Sequence, residues 1–278
     1  MNCFQIIKSV LDEAYVQIPG DEAKKDEVIK AKLEYLRGEY SQLSQECNIG
    51  YSDPTTRFAY IYAYVKSHSN LVCNIIEQTP VLGDLFDNPK VKVACIGGGP
   101  GSDFLGILKY LMTNKKSPNN IQFHLYDKEK SWGESWSDVE DKVEDLDFRI
   151  STSYMPLDVT KRDDWEPHIK YFQSDLFTMI YFMSEVFSLR DSADEYFAYL
   201  FEQAKIGSLF LFIDNNSSEF YTWFDQLAEH HKIDILSRNE TNMKVPIEEE
   251  KSDLGKYFAK FSSPKLTANV AYRIGRKV

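Results

Sequence analysis

The sequence predicts an α/β fold in which a mostly parallel seven-stranded sheet carries helices on both faces. From Lys90 onward, short apolar segments alternate with helical ones, which is the pattern of a parallel sheet covered by helices. The last two extended segments have no long helical pattern between them and predict a C-terminal antiparallel hairpin. The chain before residue 86 is helical in pattern. We therefore expect a helical N-terminal extension over residues 1–85 and an α/β domain over residues 86–278.

Composition agrees with an ordinary globular chain. The 278 residues are 43% hydrophobic and 27% charged, and no apolar run is long enough to span a membrane. The four cysteines form no CxxC pair, and the N-terminus has no signal-peptide pattern. We expect reduced thiols in a cytoplasmic or nuclear protein, with no membrane partner.

Three helices are predicted in the extension. Apolar residues recur at helical spacing from Phe4, and a second helix begins near Asp21. Ser52-Asp53-Pro54 is a helix start, because it places a capping side chain before a proline whose missing N–H is not needed there. The third helix then continues to about Gln78 and is rich in tyrosine.

The α/β pattern contains seven strands, and helices fill most of the gaps between them. The strands are predicted at about 91–97, 121–127, 149–154, 177–183, 207–214, 233–245 and 266–275. The helices are predicted at about 103–114, 136–146, 162–172, 192–205 and 219–231.

The most informative stretch is residues 91–103, an apolar strand followed by Gly97-Gly98-Gly99-Pro100-Gly101 and then a helix. Glycines at such a turn let the backbone approach a bound ligand closely. The next strand ends in Asp127, whose carboxylate can accept hydrogen bonds from both ribose hydroxyls of a nucleoside lying over the turn. The two features together predict a nucleoside-binding site.

Over roughly residues 88–278, the chain resembles the class I S-adenosylmethionine-dependent methyltransferases, which have a Rossmann-like fold. The resemblance rests on residues 95–101, which are similar to the family's E/D-x-G-x-G-x-G motif, and on Asp127 at the ribose position. It implies S-adenosylmethionine as the cofactor and methyl transfer as the activity. It also implies that Gly97, Gly99 and Gly101, with Gly98 between them, line the methionine and ribose part of the cofactor.

The resemblance also implies roles for two more acidic residues. Asp158 is the candidate for the family's acid near the adenine. The first motif acid is replaced by Cys95, and Asp103 is the candidate to substitute for it in part. That replacement keeps open a Rossmann-like domain that binds the cofactor as a scaffold without catalysis.

Two neighbouring enzyme classes match less well. Dinucleotide enzymes use G-x-G-x-x-G, where this chain has Gly97, Gly99 and then Ser102, and their sheet does not end in two β segments. Aminopropyltransferases share the glycine-rich turn but carry an acidic pair after the fourth strand, where this chain offers only Glu185. The N/D-P-P-Y/F/W tetrapeptide of DNA amino-methylases is missing, so DNA is not expected as a partner.

Candidate residues for the acceptor lie after the fourth strand and in the tyrosine-rich helix. Ser184 is placed beside the cofactor, and Glu185 is a candidate base if burial raises its pKa. Tyr64 is a second catalytic candidate if the N-terminal helices form a lid over the cofactor. His68 has no partners at metal-ligand spacing, so no metal is expected.

The charge of the chain does not decide which class of molecule accepts the methyl group. The net charge of −11 disfavours a protein that coats nucleic acid. From Lys251 to Val278, however, seven bases stand against one acid, so an RNA acceptor stays possible beside a small molecule or a protein. A sheet edge guarded by lysines is the simpler interpretation of this segment.

Overall fold

The computed structural model describes residues 3–42, 49–116, 118–140, 143, 148–245 and 254–278. Seven strands form one sheet in the order β3-β2-β1-β4-β5-β7-β6. Their bounds are Lys90–Ile96 (β1), Asn120–Asp127 (β2), Arg149–Pro156 (β3), Leu176–Ile180 (β4), Leu209–Asn215 (β5), Ile233–Lys244 (β6) and Thr267–Lys277 (β7).

The first five strands pair in parallel, and β7 lies antiparallel between β5 and β6. The predicted fold, including the C-terminal antiparallel hairpin, is confirmed. Strand β4 stops at Ile180, three residues before its predicted end. Tyr181 takes a left-handed conformation with φ 56° and turns the chain away from the sheet.

The helices cover both faces of the sheet and extend before it. Those of the N-terminal region are Cys3–Gln17 (α1), Glu22–Glu39 (α2), Pro54–Tyr60 (α3), Lys66–Gln78 (α4) and Pro80–Leu85 (α5), with a π-helical turn at Ile61–Val65 between α3 and α4. Those of the α/β region are Ser102–Thr113 (α6), Trp132–Glu140 (α7), Arg162–Trp165 (α8), Met183–Val186 (α9), Arg190–Gln203 (α10), Ser218–His230 (α11) and Gly255–Phe261 (α12), with 3₁₀ segments at Glu166–Gln173 and Phe187–Leu189.

Several predicted bounds need correction. Helix α7 begins four residues earlier than predicted, and the end of its predicted range lies outside the described residues. The helix predicted over 162–172 is α-helical only to Trp165 and continues as a 3₁₀ helix, which begins with Glu166-Pro167. Helices α5 and α12 were not predicted, because each is a single short piece of six or seven residues without sustained periodicity.

The N-terminal helices share one hydrophobic core with the sheet. Asp53 caps α3 by accepting a hydrogen bond from the Thr55 N–H at 2.9 Å, as the sequence predicts. Helix α4 is buried along most of its length and packs on α6. A Cβ atom at Gly106 of α6 would lie 2.6 Å from the Ser69 carbonyl oxygen of α4. The boundary after residue 85 falls between α5 and β1 and stays a prediction.

No helix in the described part of the chain is both long and apolar enough to cross a membrane.

Candidate functional site

A pocket opens at the carboxyl ends of β1, β2 and β4, where ligands bind in open α/β sheets. Its empty volume is about 980 Å³, a figure that includes open solvent at its mouth. The sheet side of its lining contains the glycine turn, Asp103, Asp127, Asp158 and Glu185. The N-terminal helices supply the opposite side. Residues predicted separately from the sequence therefore meet in one pocket.

The glycine turn is held in a shape that side chains would disrupt. Gly97 has φ 65°, and a Cβ there would lie 2.0 Å from the ring of Phe182. Gly99 has φ 44°, and a Cβ there would point toward Asp127 and Trp132, 3.7 Å from an atom of each. Both conformations favour glycine, and the missing side chain at Gly99 leaves the pocket open beside the Asp127 carboxylate.

Asp127 is fixed by backbone donors. Its Oδ2 accepts a hydrogen bond from the Gly99 N–H at 3.0 Å, and its Oδ1 accepts one from the Glu129 N–H at 2.9 Å. Each carboxylate oxygen keeps further acceptor capacity for a ligand hydroxyl. Burial raises the pKa of Asp127 to about 6, although these two hydrogen bonds act to lower it.

Asp103 lies beside the position of the missing motif acid. It is the second residue of α6, lines the pocket and accepts a hydrogen bond from the Thr178 hydroxyl of β4. Burial raises its pKa to about 7. The Cys95 thiol is buried next to it, and its pKa is raised by burial and then by the Asp103 charge. A carboxyl group therefore lines the pocket close to Cys95, and it comes from α6 and not from β1.

Asp158 lines the far side of the pocket, after β3. Its Oδ1 accepts hydrogen bonds from the Thr160 backbone N–H at 3.0 Å and the Thr160 hydroxyl at 2.7 Å, and its Oδ2 pairs with Lys161 at 3.0 Å. Burial acts to raise the pKa of Asp158, but these partners outweigh it, so the pKa is lowered. The carboxylate is therefore charged at neutral pH.

Glu185 connects the sheet to the N-terminal helices. The Tyr40 hydroxyl, at the end of α2, donates to Glu185 Oε1 at 2.8 Å and also contacts the Tyr51 hydroxyl. Burial raises the pKa of Glu185 to about 7; the negative charges of Asp127 and Asp214 act in the same direction, and the hydrogen bond from Tyr40 acts against it. A carboxyl group with such a pKa can accept a proton near neutral pH.

Aromatic side chains form the wall of the pocket on the side of the N-terminal helices, and we call this group the aromatic wall. Tyr51, Tyr60 and His68 line it, and the Tyr60 ring meets the Trp132 ring edge to face at 5.7 Å. The Arg57 guanidinium holds the loop of Tyr51 by donating to the Tyr51 carbonyl at 2.9 Å. Burial and then the Lys265 charge lower the pKa of His68 to about 3, so its imidazole is neutral.

Two predicted site residues lie behind the pocket wall. Ser184 is fully buried, and its backbone N–H donates to Asp214 Oδ2 at 2.9 Å. Tyr64 lines a neighbouring cavity, and its ring lies 5.8 Å from that of His68. Gly101 is the residue before α6 and fixes the start of that helix, with φ 84°.

Sequence reasoning missed four aromatic residues of the site. Tyr40, Tyr51 and Trp132 lie in three separate segments, and no spacing signal connects them. Tyr181 carries a local signal, because it directly follows the fourth strand, where a ligand is expected. Its ring stacks on His68 at 4.1 Å, and its buried hydroxyl has no hydrogen-bond partner among the described residues.

The residues present fit S-adenosylmethionine. Asp127 is placed for ribose hydroxyls, the glycine turn leaves room beside it, and the buried Asp103 carboxylate offers a partner for an ammonium group. No group of three or more His, Cys, Asp or Glu side chains suited to a metal ion is found within the described ranges.

Comparisons with solved structures support the fold. An O-methyltransferase family protein from Burkholderia thailandensis matches with a TM-score of 0.50 at 11% identity, covering 90% of this chain and 71% of the other. A SAM-dependent methyltransferase from Methanosarcina mazei matches with a TM-score of 0.46 at 8% identity, over 72% and 98% of the two chains. A putative RNA methyltransferase from Pyrococcus horikoshii matches with a TM-score of 0.44 at 16% identity, over 88% and 98%.

No family model and no curated protein matches the sequence. At such low identity the structural likeness concerns the fold alone. The chain has the Rossmann-like fold of the class I S-adenosylmethionine-dependent methyltransferases, as the sequence predicts.

Proposed function

We propose that the protein is an enzyme that transfers a methyl group from S-adenosylmethionine to an N, O or S atom of a small molecule or protein bound under the N-terminal helices. The observation that carries this proposal is the single pocket that joins the glycine turn, Asp127 and Asp158 to Glu185 and the aromatic wall. A cofactor and an acceptor need such adjacent surfaces, because orientation of the two reactants is a large part of the catalytic effect.

Each acidic side chain that lines the pocket has a task in this proposal. Asp127 accepts hydrogen bonds from the ribose hydroxyls, Asp158 lies toward the adenine, and Asp103 receives the amino group. When bound, the cofactor supplies an electrophilic methyl group on a sulfonium. Glu185 takes the proton of a reluctant acceptor, and Tyr40 keeps the carboxylate in place through its hydrogen bond.

Calorimetry with S-adenosylhomocysteine tests cofactor binding. We expect a dissociation constant in the micromolar range, about −7 to −8 kcal/mol. Gly99→Arg should abolish binding, because its side chain would fill the space beside Asp127 and strain the turn. Gly38→Arg is the control, since nothing lies within 4 Å of a Cβ at this helical position. Tight binding of NAD instead, or no binding to the parent protein, would overturn the proposal.

Asp127→Ala tests the ribose contact. We expect binding of S-adenosylhomocysteine to weaken by about 1–3 kcal/mol, because charge-assisted hydrogen bonds are lost. The same change at Asp163, which is exposed on α8, should leave the affinity unchanged. Equal affinity of the parent and Asp127→Ala would place the ribose elsewhere.

A non-catalytic scaffold is the second candidate, and Cys95 in the place of the motif acid favours it. The enzyme and the scaffold differ in what happens to bound S-adenosylmethionine. A scaffold leaves it intact during incubation with candidate acceptors, whereas an enzyme releases S-adenosylhomocysteine, which mass spectrometry detects. Release that also stops in Glu185→Gln, with cofactor affinity retained, would exclude the scaffold.

A further inference from the structure

A buried carboxyl group behind the cofactor pocket has none of the roles assigned above. Asp214, near the end of β5, has 0% of its surface exposed and is not part of the pocket lining. Burial raises its pKa to about 6, and no lysine or arginine of the described ranges forms an ion pair with it. A buried charge without a cation costs free energy, and groups of this kind are found preferentially at functional sites.

Asp214 holds helix α9 from the neighbouring strand. Its Oδ2 accepts a hydrogen bond from the Ser184 backbone N–H at 2.9 Å, and its Oδ1 accepts one from the Asn215 backbone N–H at 2.8 Å. The first N–H groups of a helix have no partner within the helix, and no side chain of the α9 segment itself caps this one. The carboxylate of β5 therefore supplies the cap of α9.

The capped helix carries the candidate base. Glu185 directly follows Ser184 and lines the pocket. A second hydrogen bond holds the same turn, because the Tyr181 N–H donates to the Ile213 carbonyl at 2.7 Å. Two consecutive residues of β5 thus fix the segment from Tyr181 to Glu185 at two points. The place of Glu185 in the pocket depends on this connection to the sheet.

Asp214 also acts on Glu185 through its charge. The titratable and charged groups that face Glu185 are Asp127 and Lys128 at the end of β2, Asp214 of β5, and the hydroxyl groups of Tyr40, Tyr51 and Tyr60 from the N-terminal region. The charges of Asp127 and Asp214 favour the protonated form of Glu185, whereas Lys128 and the hydrogen bond from Tyr40 favour the ionised form. Asp127 is assigned to the ribose, so Asp214 is the acid whose charge has no ligand assigned to it.

A carboxylate takes up a proton more readily beside a negative charge, because protonation removes the repulsion between the two. In the proposed reaction the proton of the acceptor passes to Glu185, and the electron pair that held it forms the bond to the methyl carbon. The pair of the broken carbon–sulfur bond stays on sulfur. Asp214 makes and breaks no covalent bond in this step, so any effect it has on the rate must act through Glu185.

We propose that Asp214 is a positioning residue for the candidate base: it holds Glu185 at the pocket from behind, and its negative charge increases the affinity of Glu185 for a proton. The inference rests on the proposed function, since it concerns the base of that site. The experiment nevertheless needs neither cofactor nor acceptor, because the titration of Glu185 can be followed in the ligand-free protein.

Carbon-13 NMR of protein labelled at the glutamate carboxyl groups measures this titration. The Glu185 signal is the one that disappears in Glu185→Gln. In Asp214→Asn, which keeps one side-chain oxygen for the Ser184 N–H, we expect the midpoint of Glu185 to fall by about 0.5–1 pH unit. Where methyl transfer can be measured, the acidic limb of its pH profile should move in the same direction, because Glu185 acts in its ionised form.

Two further variants separate charge from position. Tyr40→Phe removes the hydrogen bond that favours the ionised form, so the Glu185 midpoint should rise. A displaced α9 that loses the contact with Tyr40 would change the midpoint in this upward direction, opposite to the effect of losing the Asp214 charge. Asp175→Asn is the matched control: Asp175 also accepts a backbone N–H, from Lys92 at 2.7 Å, but it lies at the other end of β4 and should leave the Glu185 midpoint unchanged.

A reciprocal measurement covers an Asp214→Asn variant that does not fold, which a thermal melt reveals. The coupling between two titrating groups is mutual, so Glu185→Gln should lower the midpoint of Asp214 in aspartate-labelled protein. An unchanged or raised Glu185 midpoint in folded Asp214→Asn, or an unchanged Asp214 midpoint in Glu185→Gln, overturns the inference. Failure of S-adenosylhomocysteine to bind the parent overturns the proposed function instead, and leaves these titrations as a test of Asp214.

Discussion

Four acidic side chains at the carboxyl end of the sheet share one electrostatic feature. Burial raises the pKa of Asp103 and Glu185 to about 7 and that of Asp127 and Asp214 to about 6. Such groups cost free energy when they ionise in an empty pocket. A ligand with an ammonium and a sulfonium group would stabilise the ionised forms, which agrees with the cofactor proposed for this site.

Asp103→Asn should make the stability of the ligand-free protein less dependent on pH. A carboxyl group whose pKa is raised in the folded state contributes stability that is fully present below its unfolded pKa and is lost as the pH rises through about 7. Between about pH 5 and pH 8 the parent should therefore lose roughly 2 kcal/mol through Asp103, or about 4–8 °C in melting temperature. The variant should lack this part of the decline.

Thermal unfolding at a series of pH values measures this effect. Asp163→Asn is the control, because its side chain is exposed on α8 and loses little hydration on folding. An Asp103→Asn variant whose melting temperature falls as steeply as that of the parent would show that Asp103 ionises without cost. Acids with a lowered pKa, such as Asp12 at about 2, finish their titration below this range and do not obscure the result.

At the scale of elements, the sequence predicts correctly those features of the fold that a local residue pattern determines. The strand before Gly97, the turn and the start of α6 were predicted within one residue, since glycine and apolar periodicity act locally. The early end of β4 was not predicted, because nothing in the apolar run over 176–183 indicates that Tyr181 adopts a positive φ. The same holds for contacts between distant segments, such as Tyr40 to Glu185, which tertiary packing alone brings together.

The packing of α4 on α6 predicts opposite effects for the same substitution in two helices. Gly106→Ala places a Cβ 2.6 Å from both the Ser69 carbonyl oxygen and the Val72 Cβ, so the helices must separate. We expect a loss of about 1–3 kcal/mol in the free energy of unfolding. Gly38→Ala in α2 meets nothing within 4 Å and should gain about 0.5–1 kcal/mol from helix propensity.

Urea denaturation of the two variants checks this prediction. A single transition that shifts in opposite directions would show that α4 and the sheet unfold together. A stable Gly106→Ala variant would mean that the N-terminal helices dock loosely, and would favour a separate domain over residues 1–85.

The segment from Asp53 to Gln78 should become more protected when cofactor binds. Tyr60 and His68 of this segment line the pocket, so ligand contact should suppress its local opening. Hydrogen exchange with and without S-adenosylhomocysteine measures this. If exchange slowed only in residues near Gly97 to Asp103, the tyrosines would serve only as core. Helix α11 is the control: no residue of it lines the pocket, so its exchange should not change in either case.

At the scale of the whole molecule, three of the seven bases in the C-terminal segment pair with acids of other elements. Lys256 pairs with Asp12 of α1 at 2.6 Å, and Lys260 pairs with Asp26 of α2 at 3.0 Å. Arg273 is buried and binds Asp225 of α11, with 3.0 Å between Nε and Oδ1. These three bases hold elements together and are less free to neutralise phosphates, which argues against RNA as the acceptor.

Charge reversal separates the structural role of these lysines from RNA binding. Lys256→Glu places a second acid beside Asp12, and Lys260→Glu places one beside Asp26, so we expect both variants to melt at a lower temperature. Lys265→Glu should melt like the parent, because it breaks no ion pair with a described residue. Fluorescence anisotropy with a single-stranded oligoribonucleotide should show only weak binding at about 150 mM salt for all four proteins, with little salt dependence. An RNA-binding surface would instead give a logarithmic slope of roughly −0.7 for each phosphate neutralised, and combined substitution of Lys256, Lys260 and Lys265 would flatten it. That result, with cofactor affinity unchanged in the triple variant, would establish RNA as the partner and place its binding surface along α12 and the segment that follows it.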